Sequence, residues 1–401
     1  HSEASGDKLT AAGWHARAAA WAESASPAEG LRHWRRVRHL TGVLDGSPQR
    51  DELATRARIG ILGLAWRLGM SAEETAAIHS EGDGDAERFR LDLFYAGSMM
   101  HSGREREGLD GFRAASRQAV AAGDPGRALT ACNGVAYASW IAGSLREAVE
   151  TIDRALALAG DDPTTGSGVA FVCPLAYALQ SRGQSVGYAG ELEAARRDFD
   201  RAVELAREHD DAQTESACHA NRALLEAQAG EIEAALGSAA LGLAIAEQAG
   251  DTTHAIACST PVAVADAGAG RFADALARAE SNLATIRRHD VGLYFEPLLL
   301  ATIARSRHAL GDPDGALAAA EEAVAITDAR SLKTCALPAP IALAQILIAT
   351  QAAAAGERIA SVLAVALDVA RESGARAFER QIHQEHAALA RRRGDPVRAN
   401  P

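Results

Sequence analysis

A chain of 401 residues with 48% hydrophobic but only 4% aromatic residues must build its core from Ala, Leu and Val, a composition that favours helices over strands. A formal net charge of -12 argues against nucleic acid as the main partner, because phosphate backbones are held by basic stripes. No signal peptide opens the chain and no run reaches the ~18 apolar residues of a membrane span, so the expectation is a soluble, cytoplasmic protein with no membrane partner.

From the N-terminus, Gly6-Asp7 stands where a repeat turn belongs, with Ala11 and Ala18 following at the small positions of the repeat. That spacing predicts an outer helix from Lys8 to Trp21, in a chain that begins half-way through a repeat. Residues 1–80 hold Trp14, Trp21, Trp34 and Trp66, all but one of the tryptophans, in less regular helical repeats. Trp14 and Trp21 share one helical face, which serves either as ordinary core or as a docking face for an upstream domain. The polar, glycine-rich stretch Glu81-Gly82-Asp83-Gly84-Asp85 reads as a linker. It sets off this region from a regular array over 84–401.

In that array a glycine recurs about every 40 residues, at Gly103, Gly143, Gly190, Gly230, Gly270, Gly311, Gly356 and Gly394, the mark of a repeat solenoid. Five positions after them come Gly108, Ala148, Ala195, Ala235, Ala275, Ala316 and Ser361. Seven positions before them come Ala96, Ala136, Gly183, Ala223, Ala263, Ala304, Ala349 and Ala387. All are small, as two helices per repeat require if they are to approach to about 8–10 Å. Each glycine suits the turn between the two helices. Pro313 and Pro396 fall at the start of the second helix, where a missing N–H costs nothing. The seam continues twelve positions on through Ala115, Ala155, Ala202, Gly242 and Ala323, while Asn282 and Asp368 break it. Gly394-Asp395-Pro396 begins a further helix that the chain cuts short at Pro401.

This pattern resembles the tetratricopeptide repeat, which has a small residue late in helix A, a turn glycine, and small residues five and twelve positions into helix B. The resemblance implies an all-α, right-handed superhelical solenoid of helix pairs with a ~40-residue period, longer than the usual repeat. Trp14-His15-Ala16-Arg17-Ala18-Ala19, Val172-Cys173-Pro174, the segment from Ala202 to His209 and the segment from Gly374 to Glu379 resemble a narrower group. These are large bacterial multidomain proteins with a class III adenylate/guanylate cyclase domain, a signal-transduction-type ATPase and then tetratricopeptide-like repeats. Membership would make this chain a scaffold or sensor that regulates an upstream ATPase and cyclase.

No phosphate-binding loop of the Gly-x-x-x-x-Gly-Lys-Ser/Thr type is present, and Gly166-Ser167-Gly168 lies outside the strand-turn-helix setting of a nucleophile elbow. His383 and His386 offer two metal ligands without a third. The five cysteines, Cys132, Cys173, Cys218, Cys258 and Cys335, read as reduced core residues spread over separate repeats. The segment is therefore expected to be non-catalytic, with neither cofactor nor metal. Binding is expected on the concave face formed by helix A, whose groove positions carry Asn133, Tyr137, Trp140, Gln180, Gln184, Thr260, Arg305 and His308. Tyr137 and Trp140 are the natural anchors, because aromatic residues carry much of the energy at interfaces. The partners on this reading are a protein or peptide, upstream domains of the same polypeptide, or a second copy of the chain in a homo-oligomer. Two alternatives remain: the effector-sensing solenoid of a large ATP-dependent transcriptional activator, and a stand-alone peptide-binding adaptor.

Overall fold

The computed structural model describes residues 6–81, 87–160, 162–170, 172–351 and 354–393. The linker glycines Gly82 and Gly84 and the turn at Gly394 lie outside the described residues. Nineteen α-helices and no β-strand are formed among the described residues, with one isolated bridge between Ser167 and Ala170.

The helices alternate between two layers. The inner series is α1 (Lys8–Ala25), α3 (Pro48–Leu68), α5 (Arg88–His101), α7 (Pro125–Ala142), α9 (Pro174–Tyr188), α11 (Ala212–Ala229), α13 (Thr252–Gly268), α15 (Glu296–Ala309), α17 (Pro338–Gln351) and α19 (Glu379–Arg393). Each of these packs on the next inner helix. The outer series is α2 (Pro27–Gly42), α4 (Ala72–Ser80), α6 (Glu105–Ala121), α8 (Leu145–Ala159), α10 (Leu192–Glu208), α12 (Ile232–Ala249), α14 (Phe272–His289), α16 (Pro313–Arg330) and α18 (Gly356–Ser373). Each outer helix bridges the inner helices before and after it. The first helix departs from expectation. Read from Gly6-Asp7 as an outer helix, α1 packs on both α2 and α3 and so takes an inner place.

The small-residue register explains how the layers close. Ala136, Ala148, Ala195, Ala223, Ala235, Ala263, Ala275, Ala304 and Ala316 are all fully buried, as residues at helix crossings must be. Gly103, Gly143, Gly190, Gly230, Gly270 and Gly311 take φ between 79° and 94°, the left-handed region in which a side chain is strained. Gly356 does not. It is the first residue of α18, and Ala349, Ser361 and Asp368 are exposed. The buried face of that helix is instead Ile359, Leu363, Ala366 and Ala370, which is the usual seam started two residues earlier. Asn282 does lie in its seam, buried, with its amide donating to Thr260 Oγ1 at 3.5 Å.

A second punctuation mark closes six of the nine described outer helices, α6, α10, α12, α14, α16 and α18. Gly123, Asp210, Gly250, Asp290, Ser331 and Gly374 are all left-handed, with φ from 50° to 80°. Directly after three of them, Asp124, Asp211 and Asp251 cap the next inner helix, accepting from the backbone N–H of Arg127, Thr214 and His254. Such a cap is worth about 1 kcal/mol. A left-handed residue followed by aspartate thus ends one helix and starts the next.

The superhelix winds tightly enough for its successive turns to touch. Arg67 Nε on α3 donates to Asp251 Oδ2 at 2.7 Å across 184 residues, and Thr253 Oγ1 donates to the Trp66 carbonyl at 2.8 Å across 187. Further along, Arg330 pairs with Glu105 across 225 residues and with Glu296 at 3.2 Å. The Lys333 N–H donates to the Ile141 carbonyl at 3.2 Å. These separations correspond to about five repeats of about 40 residues each per turn. The chain therefore encloses a lumen rather than an open groove.

One helix corrects an expectation. The 18 residues Thr334–Gln351, with a mean hydropathy of 1.4, are long and apolar enough to cross a membrane, although 72% of that window is buried in the fold. The window takes in the 3-10 turn Thr334–Ala336 and the core helix α17, which packs among α15, α16, α18 and α19. All five cysteines are free and buried, and burial pushes Cys258 and Cys335 up to about 12.

Candidate functional site

Aromatic residues are scarce, so their location is informative. Eight of the eighteen in the chain line one cavity of about 150 Å³ where the first superhelical turn meets the start of the second: Trp66, Phe94, Phe112, Tyr137, Trp140, Tyr177, Tyr294 and Phe295. Inner helices supply most of the wall, joined by Phe112 of α6 and by Tyr294 and Phe295 of the 3-10 turn before α15. The contributing part of each inner helix drifts along the series. It is the last turns of α5 (Gly97, Met100, His101), the middle of α9 (Tyr177, Gln180, Gln184) and the first turns of α13 (Thr253, His254, Ala257). That drift is the superhelical tilt seen from inside. Gly134 on α7 makes room for the wall, since a Cβ there would lie 2.2 Å from the Phe112 ring.

The rings form a continuous chain. Trp66 stacks on His101 with centroids 4.7 Å apart, His101 lies 5.9 Å from Tyr137, and Tyr137 lies 5.7 Å from Trp140. The Tyr137 hydroxyl donates to that of Tyr294 at 2.6 Å. Burial holds the His101 imidazole at about 3, and repulsion from His254 adds to the effect, so this ring is neutral at ordinary pH. Burial likewise pushes Tyr177 up to about 12 and Tyr137 well above the ordinary phenol value. The site is an aromatic chamber in which His101 and the tyrosines are uncharged, while His254 in its wall is bonded to the buried Asp251 carboxylate.

Its polar groups are arranged unevenly. Gln184 donates through Nε2 to Asn221 Oδ1 at 2.7 Å, while its own carbonyl Oε1 has no partner. Gln180 Nε2, Trp140 Nε1 and His101 Nδ1 are also buried without a hydrogen-bond partner. Four cavity-lining side chains therefore offer an unmatched donor or acceptor, and each costs about 1–3 kcal/mol if left unmade. Buried polar groups in native proteins are seldom left so.

The structure brings Tyr137, Trp140, Gln180 and Gln184 together on this cavity. It does not bring the other sequence candidates there. Asn133 is buried and donates to the Pro174 carbonyl at 3.0 Å. Thr260 is buried against Asn282 and donates to the Ile256 carbonyl at 2.8 Å. His308 is half-buried and lines neither this cavity nor the next. Arg305 lines a second cavity of about 660 Å³ further along the lumen. Trp140 itself is only 1% exposed, so it is a wall of the chamber rather than a free groove anchor. Trp66, His101, Tyr177, Asn221, His254 and Tyr294 belong to the site without having been singled out.

The N-terminal tryptophans divide. Trp34 is buried, its indole N–H donating to Glu23 Oε2 at 3.1 Å, whereas Trp14 and Trp21 are exposed by 58% and 82%. Core packing does not account for the latter two. Among the described residues no group of three or more His, Cys, Asp and Glu side chains is gathered to hold a metal.

No family model matches the chain, and no curated protein matches it. Solved structures do. A Rap protein complexed with competence and sporulation factor is 11% identical with a TM-score of 0.50, over 100% of this chain and 95% of that one. The APC/C hetero-tetramer Cut9-Hcn1 is 12% identical with a TM-score of 0.58, over 90% of this chain and 60% of that one. NprR in complex with its cognate peptide NprX is 12% identical with a TM-score of 0.50, over 86% of each chain. The fold is a tetratricopeptide-repeat-like solenoid. At such identities the likeness extends to the fold alone.

Proposed function

We propose that this chain is a non-catalytic interaction module that holds a peptide segment of a partner in the aromatic cavity between its first and second superhelical turns. The observation that carries this reading is the set of unmatched polar groups on Gln180, Gln184, Trp140 and His101 around an apolar chamber. A peptide supplies both kinds of group that such a chamber accepts. Its backbone amides match side-chain amides, and one side chain fills the space, since a cavity of about 150 Å³ holds a benzene ring. Two of the similar folds were solved with a factor or cognate peptide bound, which favours a peptide over other ligands. Regulation of an upstream ATPase or nucleotide cyclase is supported by sequence resemblance in scaffold segments, and the peptide reading stands without it.

Panning a random dodecapeptide display library against the protein tests the proposal. Peptides selected on the wild type should bind Gln184→Leu at least tenfold more weakly, because a matched carbonyl is replaced by an apolar group and the peptide N–H is left buried and unpaired. Isothermal titration with the synthetic peptides reads the change. Equal affinity for the variant would count against the cavity as the binding site.

A further inference from the structure

The second cavity has a different chemistry. It continues the lumen past the first, from the C-terminal ends of α9, α11 and α13 to the starts of α17 and α19. The buried Tyr188 ring stands between the two, 5.6 Å from Trp140 on one side and 5.9 Å from Phe378 on the other. Three arginines line it, Arg305, Arg376 and Arg380, and not one carboxylate. In a chain of net charge -12 that is a marked local excess of positive charge.

Several other arginines on the repeats are each held by two carboxylates. Arg182 bonds Asp153 and Asp198, Arg222 bonds Asp200 and Glu226, and Arg287 bonds Glu296 and Glu322. Arg305, Arg376 and Arg380 form no ion pair or side-chain hydrogen bond among the described residues; Arg376 and Arg380 are exposed, whereas Arg305 Nε and Gln228 Oε1 are buried without a partner. Arg305 is half-buried at mid-helix in α15. There burial lowers its pKa against the attraction of Glu385, so its charge is held at a cost. Between the guanidinium groups the walls carry the apolar side chains of Leu225, Val264, Leu298, Ile341 and Phe378, with Gln228, Gln381 and Gln384 among them. A volume of about 660 Å³ falls within the range of small-molecule sites.

The geometry points to a second binding site, in which Arg305, Arg376 and Arg380 receive the oxyanion head of an amphiphilic organic anion and the apolar walls receive its body. The head is a carboxylate or a phosphate, since guanidinium forks bind either in the same manner. The site is separate from the peptide cavity and does not depend on it. The arginines come from α15 of one repeat and from α19 with its leading turn, two repeats on. The ligand would therefore span the inner layer of the second superhelical turn.

Isothermal titration with decanoate, decyl phosphate, inorganic phosphate and decyltrimethylammonium tests the assignment. Saturable binding of decanoate or decyl phosphate is expected, with the preference between them naming the head group, and with inorganic phosphate at least tenfold weaker. Arg305→Gln should weaken the better amphiphile at least tenfold. That variant should melt no lower than the wild type without ligand, because it removes an unpaired charge; a merely structural arginine would lower the melting temperature. Binding of decyltrimethylammonium equal to that of the anions, or unchanged affinity in both Arg305→Gln and Arg380→Gln, would overturn the site. So would an absence of binding by either anionic amphiphile. A variant of Arg305 that failed to fold would leave Arg380→Gln, at an exposed residue, to decide.

Discussion

Replacing Arg67 with alanine is expected to destabilise the protein by about 3–5 kcal/mol, the usual consequence of removing one partner from a buried ion pair. Arg67 and Asp251 are 3% and 2% exposed, and their bond of 2.7 Å ties the first repeats to the start of the next superhelical turn. Burial opposes ionisation of Asp251, but His254 and Arg67 together hold its carboxyl well below the usual range. Without Arg67 a buried carboxylate would rely on His254 alone, whose Nδ1 lies 2.9 Å away. The exposed pair Arg38 and Glu81 provides the contrast, because surface pairs contribute about 0–1 kcal/mol. Urea denaturation of Arg67→Ala and Arg38→Ala reads both values. A loss below about 1 kcal/mol for Arg67→Ala would show that the turns of the superhelix are not held by this contact.

Acidification should weaken the fold through His101. The imidazole is held at about 3 by burial, with His254 repelling its charged form and Asp251 favouring it, whereas an unfolded histidine titrates near 6.5. Between those values the unfolded chain binds a proton that the folded one does not. The stability contributed by neutral His101 is therefore complete above about pH 6.5 and falls by ~1.4 kcal/mol per unit as the pH drops towards 3. Between pH 6.5 and 4.5 the expected loss is about 2–3 kcal/mol from this group. His101→Phe keeps a ring stacked against Trp66 and removes the titration. Stability measured by urea at several pH values should show a shallower slope for the variant. An identical slope in the two proteins would mean that His101 is not buried neutral.

Local features of the fold were legible in the sequence because they repeat. The turn glycines and the alanines beside them report a steric demand that is the same in every repeat. The register failed at Gly6, where α1 takes an inner place, and at Gly356, which stands two residues past its turn, so that Ser361 was assigned to the seam and Asp368 was read as a break in it, whereas Ile359 and Ala366 carry it. The left-handed Asp290 and Ser331 closing the outer helices were also in the sequence, but without a glycine they gave no repeating signal. Contacts between turns of the superhelix were out of reach. Nothing in the periodicity joins Arg67 to Asp251 or Arg330 to Glu105, since each pair depends on the accumulated rotation of about five repeats.

The candidate site was legible to the same extent. A fixed offset from the turn glycine finds cavity residues on α7 and α9, where Tyr137, Trp140, Gln180 and Gln184 face the lumen. It fails for Thr260 on α13, because the tilt of the superhelix has by then moved the lumen-facing surface to the first turns, at Thr253, His254 and Ala257. His101 and Tyr294 escaped notice for the same reason: they join the chamber through winding rather than through sequence spacing.

Hydrogen–deuterium exchange with and without a library-selected dodecapeptide is the most direct measurement of where the partner enters. Slowed exchange is predicted in α7, α9 and α11, whose inner faces carry Tyr137, Gln180, Gln184 and Asn221, with α1 and α2 unchanged. Slowing confined to α1 and α2, beside the exposed Trp14 and Trp21, would contradict a lumenal site and place recognition on the outside of the superhelix.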